Sequence, residues 1–156
     1  MNVIRPFTIA DAERLKELTI LAFDGVSIDQ NIERAFGVIG GRDWKFRKAR
    51  HIDFDIVAHP SGIFVYELDG QVVGFITTRI DHETKIGWIP NIVVHPEYQG
   101  RGIGKALMQR ALEHLREQGM ECVKIETLEQ NRIASQWYPR LGFREVARQI
   151  HYVMKL

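Results

Sequence analysis

The chain has 156 residues, 45% of them hydrophobic and 26% charged, with a formal net charge of +1 and a pI of about 7.9. That length supports one domain over residues 1–156 with a sizeable core and is too short for two ordinary ones. The near-neutral balance supplies no global field for nucleic acid or an anionic membrane surface. Cys122 stands alone, which excludes a disulfide framework and a CxxC metal site. The opening MNVIRPF lacks the apolar run of a leader, and no stretch of roughly 18 uncharged apolar residues occurs, so a soluble, cytoplasmic protein is expected.

In chain order, VIRP reads as a short edge strand. Thr8 is an N-cap for a helix with apolar residues at Ala12, Leu15, Leu18 and Ala22. A second helical stretch runs from Ser27 toward Ile39, stops at Gly40 and Gly41, and resumes through RDWKFRKARHIDFDIVAHP before Pro60 and Gly62. GIFVYELDGQVVGFITTRID holds two β-rich runs around Asp69-Gly70, a strong hairpin signal. KIGWIPNIVV is a third strand with an irregularity expected at Pro90, because proline cannot donate to a ladder. IGKALMQRALEHLREQG places Ile103, Leu107, Ala111 and Leu115 on one helical face and stops at Gly119. ECVKIETL reads as a strand, NRIASQWYPRLG as a short helix, and FREVARQIHYVMKL as final strand material. The order describes an α+β sandwich with one crossover.

Three glycines, Gly100, Gly102 and Gly104, stand directly before the amphipathic helix in VVHPEYQGRGIGKALM. Such a run is costly in backbone entropy and suggests that a ligand approaches the main chain. GRGIGKA lacks the spacing and hydroxyl of a Walker A loop, and GxGxG late in the chain is not a Rossmann fingerprint. Unpaired amides at a helix N-terminus, with roughly half a positive charge from the dipole, suit a pyrophosphate, and Arg101 and Lys105 add to this. The competing reading is a loop that needs positive φ and binds nothing.

The stretch from Gln99 to Lys105 resembles the Q/R-x-x-G-x-G/A signature of the GNAT superfamily of N-acetyltransferases, and NIVVHPEYQ is similar to the strand and loop before it. NRIASQWYPRLGF resembles the family's N-x-x-A-x-x-x-Y-x-x-x-GF block, and the element order agrees. The resemblance implies a mixed, mostly antiparallel sheet with helices on both faces and two central strands splayed apart. Acetyl-CoA would lie in that cleft, between the strand ending at Val94 and the strand Cys122 to Leu128. The main chain of Ile92, Val93 and Val94 would pair with the pantetheine arm, and Gly100, Arg101, Gly102, Ile103, Gly104 and Lys105 would hold the pyrophosphate. Asn131 would bond the cofactor or serve as a plain N-cap.

Acyl transfer from a thioester to an amine needs a base for the ammonium, donors for the oxyanion and an acid for the thiolate. Tyr138 occupies the family's acid position, unless it is only a core aromatic. An amide in Ile92 to Val94 is the oxyanion donor. Glu126 matches a glutamate that protein N-terminal acetyltransferases use as base, and partial burial in the cleft would raise its pKa toward neutrality. Otherwise it is a strand residue paired with Lys124 or Arg132, with Asn91 and Glu129 orienting a water chain.

HIDFD offers metal-ligand types in no metal-site pattern and is read as a helix with one wet face. RDWKFRKAR carries five basic residues in nine and is read as a solvated helix with Trp44 and Phe46 packed inward. Cys122 is expected to be buried and inert. Two functions remain. One is an enzyme acetylating a primary amine of a protein N-terminus or small molecule by direct attack in a ternary complex. The other is a non-catalytic acyl-CoA binding module. The family often dimerises, and IHYVMKL offers an edge strand for a homodimer.

Overall fold

A computed structural model describes residues 2–156. Met1 lies outside the described residues. The element order is β1 (Asn2–Pro6), α1 (Ala12–Ala22), α2 (Ile28–Phe36), α3 (Trp44–Ala58), β2 (Phe64–Leu68), β3 (Gln71–Ile76), β4 (Ile86–Ile89), β5 (Ile92–Val94), α4 (Ile103–Glu117), β6 (Cys122–Ile125) and α5 (Arg132–Arg140). Among the described residues no helix is long and apolar enough to cross a membrane.

Strands β1, β2, β3 and β5 form an antiparallel sheet in that order, and β4 and β6 form a separate parallel pair. The β2–β3 turn is Asp69-Gly70 with φ of 50° and 80°, the left-handed pair that a two-residue hairpin requires. Helix α2 ends at Gly37, φ 75°, short of the expected stop at Gly40 and Gly41. Gly37 already supplies a positive-φ conformation that only glycine adopts readily, and its N–H closes the last turn on the Glu33 carbonyl.

Helices pack on both faces. Leu15, Leu18 and Ile52 of α1 and α3 meet Val65, Phe75 and Val93 on one side. Ile103, Leu107, Ala111 and Leu115 of α4 meet Val73, Ile76 and Ile89 on the other, so the expected face of α4 is the buried one. Gly74 permits this approach, since a Cβ there would stand 2.9 Å from the Val93 carbonyl oxygen and 3.2 Å from Leu107 Cδ1.

Three expectations are corrected. The stretch after Gly142 forms no strand: Val146, Ile150, Tyr152 and Met154 are exposed, and the tail's backbone has no ladder partner. Cys122 is exposed, because alternation along β6 turns Val123 and Ile125, not Cys122, toward the α4 core. Phe46 is also exposed, lying beneath the Arg42 guanidinium at 4.3 Å, while Trp44 is buried as expected.

Candidate functional site

The site is built where KIGWIPNIVV breaks. Thr77 N–H donates to the Asn91 carbonyl, and Arg79 pairs with Trp88 in both directions. Thr78 alone therefore opposes both Ile89 and Pro90, a bulge that leaves the proline outside the ladder. Before the bulge, β4 runs parallel to β6 with Trp88 opposite Lys124 and Ile89 opposite Ile125. After it, β5 pairs with β3 alone. The two strands part at this point.

The orientation of β5 follows from its ladder. Asn91 accepts from Thr77, and His95 donates to the Val73 carbonyl, so alternate residues 91, 93 and 95 turn their backbone groups to β3. Ile92 and Val94 present theirs to the opposite side, toward the space that β6 has left. The side-chain amide of Gln99 reaches back to the Val94 carbonyl at 3.4 Å.

Beyond β5, the chain turns through Gly100 (φ 77°) and Gly102 (φ 81°) into α4. Gly102 is the N-cap and offers no side-chain cap, and the first bond of the helix runs from Ala106 N–H to the Gly102 carbonyl. Among the described residues the backbone N–H groups of Gly100 to Lys105 have no partner. Gly104 differs from the other two. Its φ is ordinary, and the space a Cβ would need is occupied by Trp137 of α5. Arg101 and Lys105 are exposed at this end, with the Arg101 guanidinium 5.0 Å from the Tyr98 ring centroid.

Asn131 acts as the N-cap of α5, its Oδ1 accepting from Ala134 N–H at 3.2 Å. Tyr138, two turns along, is half-buried between Trp137 (5.7 Å between centroids) and Phe143 (5.9 Å). Burial pushes its phenol up to about 12, so the hydroxyl keeps its proton at neutral pH.

Glu126 follows the last residue of β6, at the register position opposite Pro90. It is exposed, not partly buried as the sequence suggested, because the ladder that would cover it ends one residue earlier. Its Oε2 accepts from the Trp88 indole Nε1 at 3.2 Å, and neither Lys124 nor Arg132 pairs with it. Glu129 lies 3.8 Å from Arg148 of the tail.

Sequence reasoning missed the polar network that pins the bulge. Asp55 of α3 is 1% exposed. Its Oδ2 accepts from Thr77 Oγ1 (3.0 Å) and Asn91 Nδ2 (2.6 Å), and its Oδ1 from Arg79 Nη2 (2.8 Å). Asn91 N–H donates in turn to Thr77 Oγ1. Asn91 Nδ2 is thus committed to Asp55, and its main chain to Thr77. The helical spacing of Trp44, Ile52 and Asp55 on one stripe was the available signal: HIDFD is a helix with one wet face, as expected, and Asp55 lies on the buried side, away from exposed Phe54. The other members of that motif pair elsewhere, Asp53 with Lys16 at 2.8 Å and His51 with Asp29 at 3.5 Å.

A cavity of about 760 Å³ opens beside the parting strands, walled by Ile28, Ile32 and Phe36 of α2, by Leu128 to Gln130, and by Ile150 and Val153 of the tail. Gln130 braces it, bonding the Asn31 side chain at 2.8 Å and the Gly25 carbonyl at 2.8 Å.

Mycothiol acetyltransferase of Thermomonospora curvata is 38% identical over 93 residues, which are 60% of this chain and 31% of that protein. The chain spans about a third of the length of the mycothiol acetyltransferases it matches. Among solved structures, PH1933 from Pyrococcus horikoshii OT3 superposes with a TM-score of 0.75 at 21% identity, covering 96% of this chain and 92% of that one. The PaiA N-acetyltransferase of Thermoplasma acidophilum, solved in complex with coenzyme A, superposes with a TM-score of 0.73 at 23% identity, covering 92% and 90%. These likenesses establish the fold. The acetyltransferase (GNAT) family model matches residues 27–143, and the chain belongs to that family.

Proposed function

We propose that the chain transfers an acetyl group from acetyl-CoA to a primary amine by direct attack in a ternary complex. The observation that carries this reading is the free edge of β5, which ends at a glycine turn whose amides are unpaired. An extended pantetheine arm with two amides can add to such an edge as a strand would, and a pyrophosphate fits an uncapped helix N-terminus. Gly100 and Gly102 keep the approach open, since nothing lies within 4 Å of a Cβ built on either.

Bound acetyl-CoA supplies the electrophile, a thioester carbonyl. Glu126 takes a proton from the acceptor ammonium, directly or through one water. An outward N–H of β5, from Ile92 or Val94, donates to the carbonyl oxygen as negative charge develops there. Tyr138 holds its proton at neutral pH and gives it to the departing sulfur. The acceptor enters by the α2–tail cavity, whose lining mixes apolar side chains with Glu129, Arg132 and His151. A protein N-terminus and a small-molecule amine both fit a cavity of that size.

The test is release of free thiol from acetyl-CoA over a panel of amines, with kcat/KM followed against pH for wild type and Glu126→Gln. Amine-dependent release is expected. The Glu126→Gln deficit should be largest near neutral pH and shrink toward the acceptor's own pKa, about 8 for an α-amine and about 10 for a lysine-like amine. CoA binding without turnover on any amine would instead make the chain a binding module. A Glu126→Gln profile parallel to wild type would remove Glu126 as the base.

A further inference from the structure

The carboxylate of Glu126 is exposed and mobile in principle, yet its Oε2 is held at 3.2 Å by Trp88 Nε1. That indole is flanked by two cations as well as bonded to the carboxylate. Trp88 sits opposite Lys124 in the parallel ladder, and Glu126 lies two residues further on the same face. The ammonium of Lys124 is 5.3 Å from the indole centroid and the guanidinium of Arg79 is 5.0 Å from it. Arg79 is further tied to Trp88 by two backbone bonds, of 2.8 and 3.0 Å. Its guanidinium is anchored in turn on buried Asp55, which also secures Thr77 and Asn91 at the bulge. A continuous line of contacts therefore runs from the interior of α3, through Arg79 and the indole, to the carboxylate at the mouth of the parted strands.

We propose that Trp88 is a positioning residue for the Glu126 carboxylate, aiming it at the acceptor amine, with the Asp55–Arg79 pair setting the orientation of the indole. The proposal rests on the reading of Glu126 as the proton acceptor. The physical need is plain. A glutamate side chain in water samples many rotamers, and a base that must meet one proton works only in the fraction of time it points there. One N–H donor on one carboxylate oxygen restricts the rotamers and leaves the other oxygen, Oε1, for the ammonium or its bridging water.

Trp88→Phe keeps an aromatic ring between Arg79 and Lys124 and removes only the donor. Its kcat/KM on the best amine should fall about tenfold, the size of one hydrogen bond to a charged group, while the dissociation constant for CoA stays within about twofold. In the Glu126→Gln background the same substitution should change kcat/KM by less than about twofold, because its target has gone. The contact itself is read without turnover. The indole N–H resonance missing from Trp88→Phe is that of Trp88, and in Glu126→Gln it should move while those of Trp44 and Trp137 stay. A tenfold loss repeated in full in the Glu126→Gln background, a Trp88→Phe enzyme at wild-type activity beside a crippled Glu126→Gln, or an unmoved Trp88 resonance would each overturn the positioning role and leave the base standing. A Glu126→Gln enzyme with the wild-type pH profile would overturn the base, and the positioning role with it.

Discussion

The ring of Trp137 fills the place where a side chain on Gly104 would stand: a Cβ there would lie 3.2 Å from Trp137 Cη2 and 3.7 Å from Val94 Cγ2. Glycine at this position lets α4 close onto α5 and β5 together. Gly102 is required for the opposite reason, since a Cβ there meets open space but φ is 81°. Gly104→Val should push Trp137 aside at a cost of about 1–3 kcal/mol, as overpacking does. Tyr138, the next residue, should be displaced with it. A thermal melt and calorimetric titration with CoA should show a lower Tm and affinity weakened about tenfold. An unchanged melt would mean that α5 is not held by this contact.

Tyr138→Phe should leave both the fold and CoA affinity unaltered, because the ring keeps its neighbours and the hydroxyl bonds no described residue. Turnover should drop about a hundredfold if the phenol protonates the leaving sulfur. Stopped-assay kcat beside a calorimetric Kd separates the two effects. Wild-type turnover would reduce Tyr138 to packing.

Asp55 holds three partners at the bulge and is almost wholly enclosed. Arg79→Met removes its counter-charge, which is itself part-exposed, and should destabilise the fold by about 1–3 kcal/mol, as leaving one buried group short of a partner does. Asp55→Asn, which keeps the shape and an acceptor, should cost less. Urea denaturation of the two variants gives the comparison, and equal, small losses would show that the pair is not a structural anchor.

Two histidines meet between the end of α3 and α4, with His59 Nε2 2.9 Å from His114 Nε2 and the His114 ring edge-on to Phe64. One ring donates and the other accepts, so at least the acceptor is neutral, and protonating both rings breaks the contact. Burial lowers the pKa of each, aided for His59 by His82 and for His114 by His59 and Arg110. A lowered folded-state pKa means that the unfolded chain takes up protons first. The contact's stability is therefore fully present above the unfolded value of about 6.5 and is lost as pH falls through the folded values. His51, also lowered by burial, adds to the same acid limb. Melting between pH 7.5 and 5 should show a declining Tm, with a shallower decline in His114→Gln. Parallel slopes would assign the acid loss elsewhere.

Local signals carried most of the fold. Asp69-Gly70 specified its hairpin and Pro90 its bulge because each acts through its own backbone angles or missing donor. The α4 face was legible for the same reason, since one helix writes its burial in its own spacing. Non-local pairing was not legible. The tail after Gly142 has strand-like composition, but composition does not say which edge is free, and no strand forms there. Asp55 and Asn91 are 36 residues apart, and only the folded sheet brings them to 2.6 Å. The same holds for Trp88 and Glu126, which meet because β4 and β6 share a parallel register that a sequence does not display.

The bulge at Pro90 has a kinetic meaning. Since β5 and β6 stand apart, and the turn at Gly100 to Lys105 exposes its amides, a nucleotide thioester meets a surface that has no ladder to break open. The reorganisation that slows many association reactions is absent from this step, and little of the contact energy is diverted into reshaping the protein. Binding of CoA followed by stopped flow should then be a single phase whose rate rises linearly with concentration, without the plateau that a slow opening imposes.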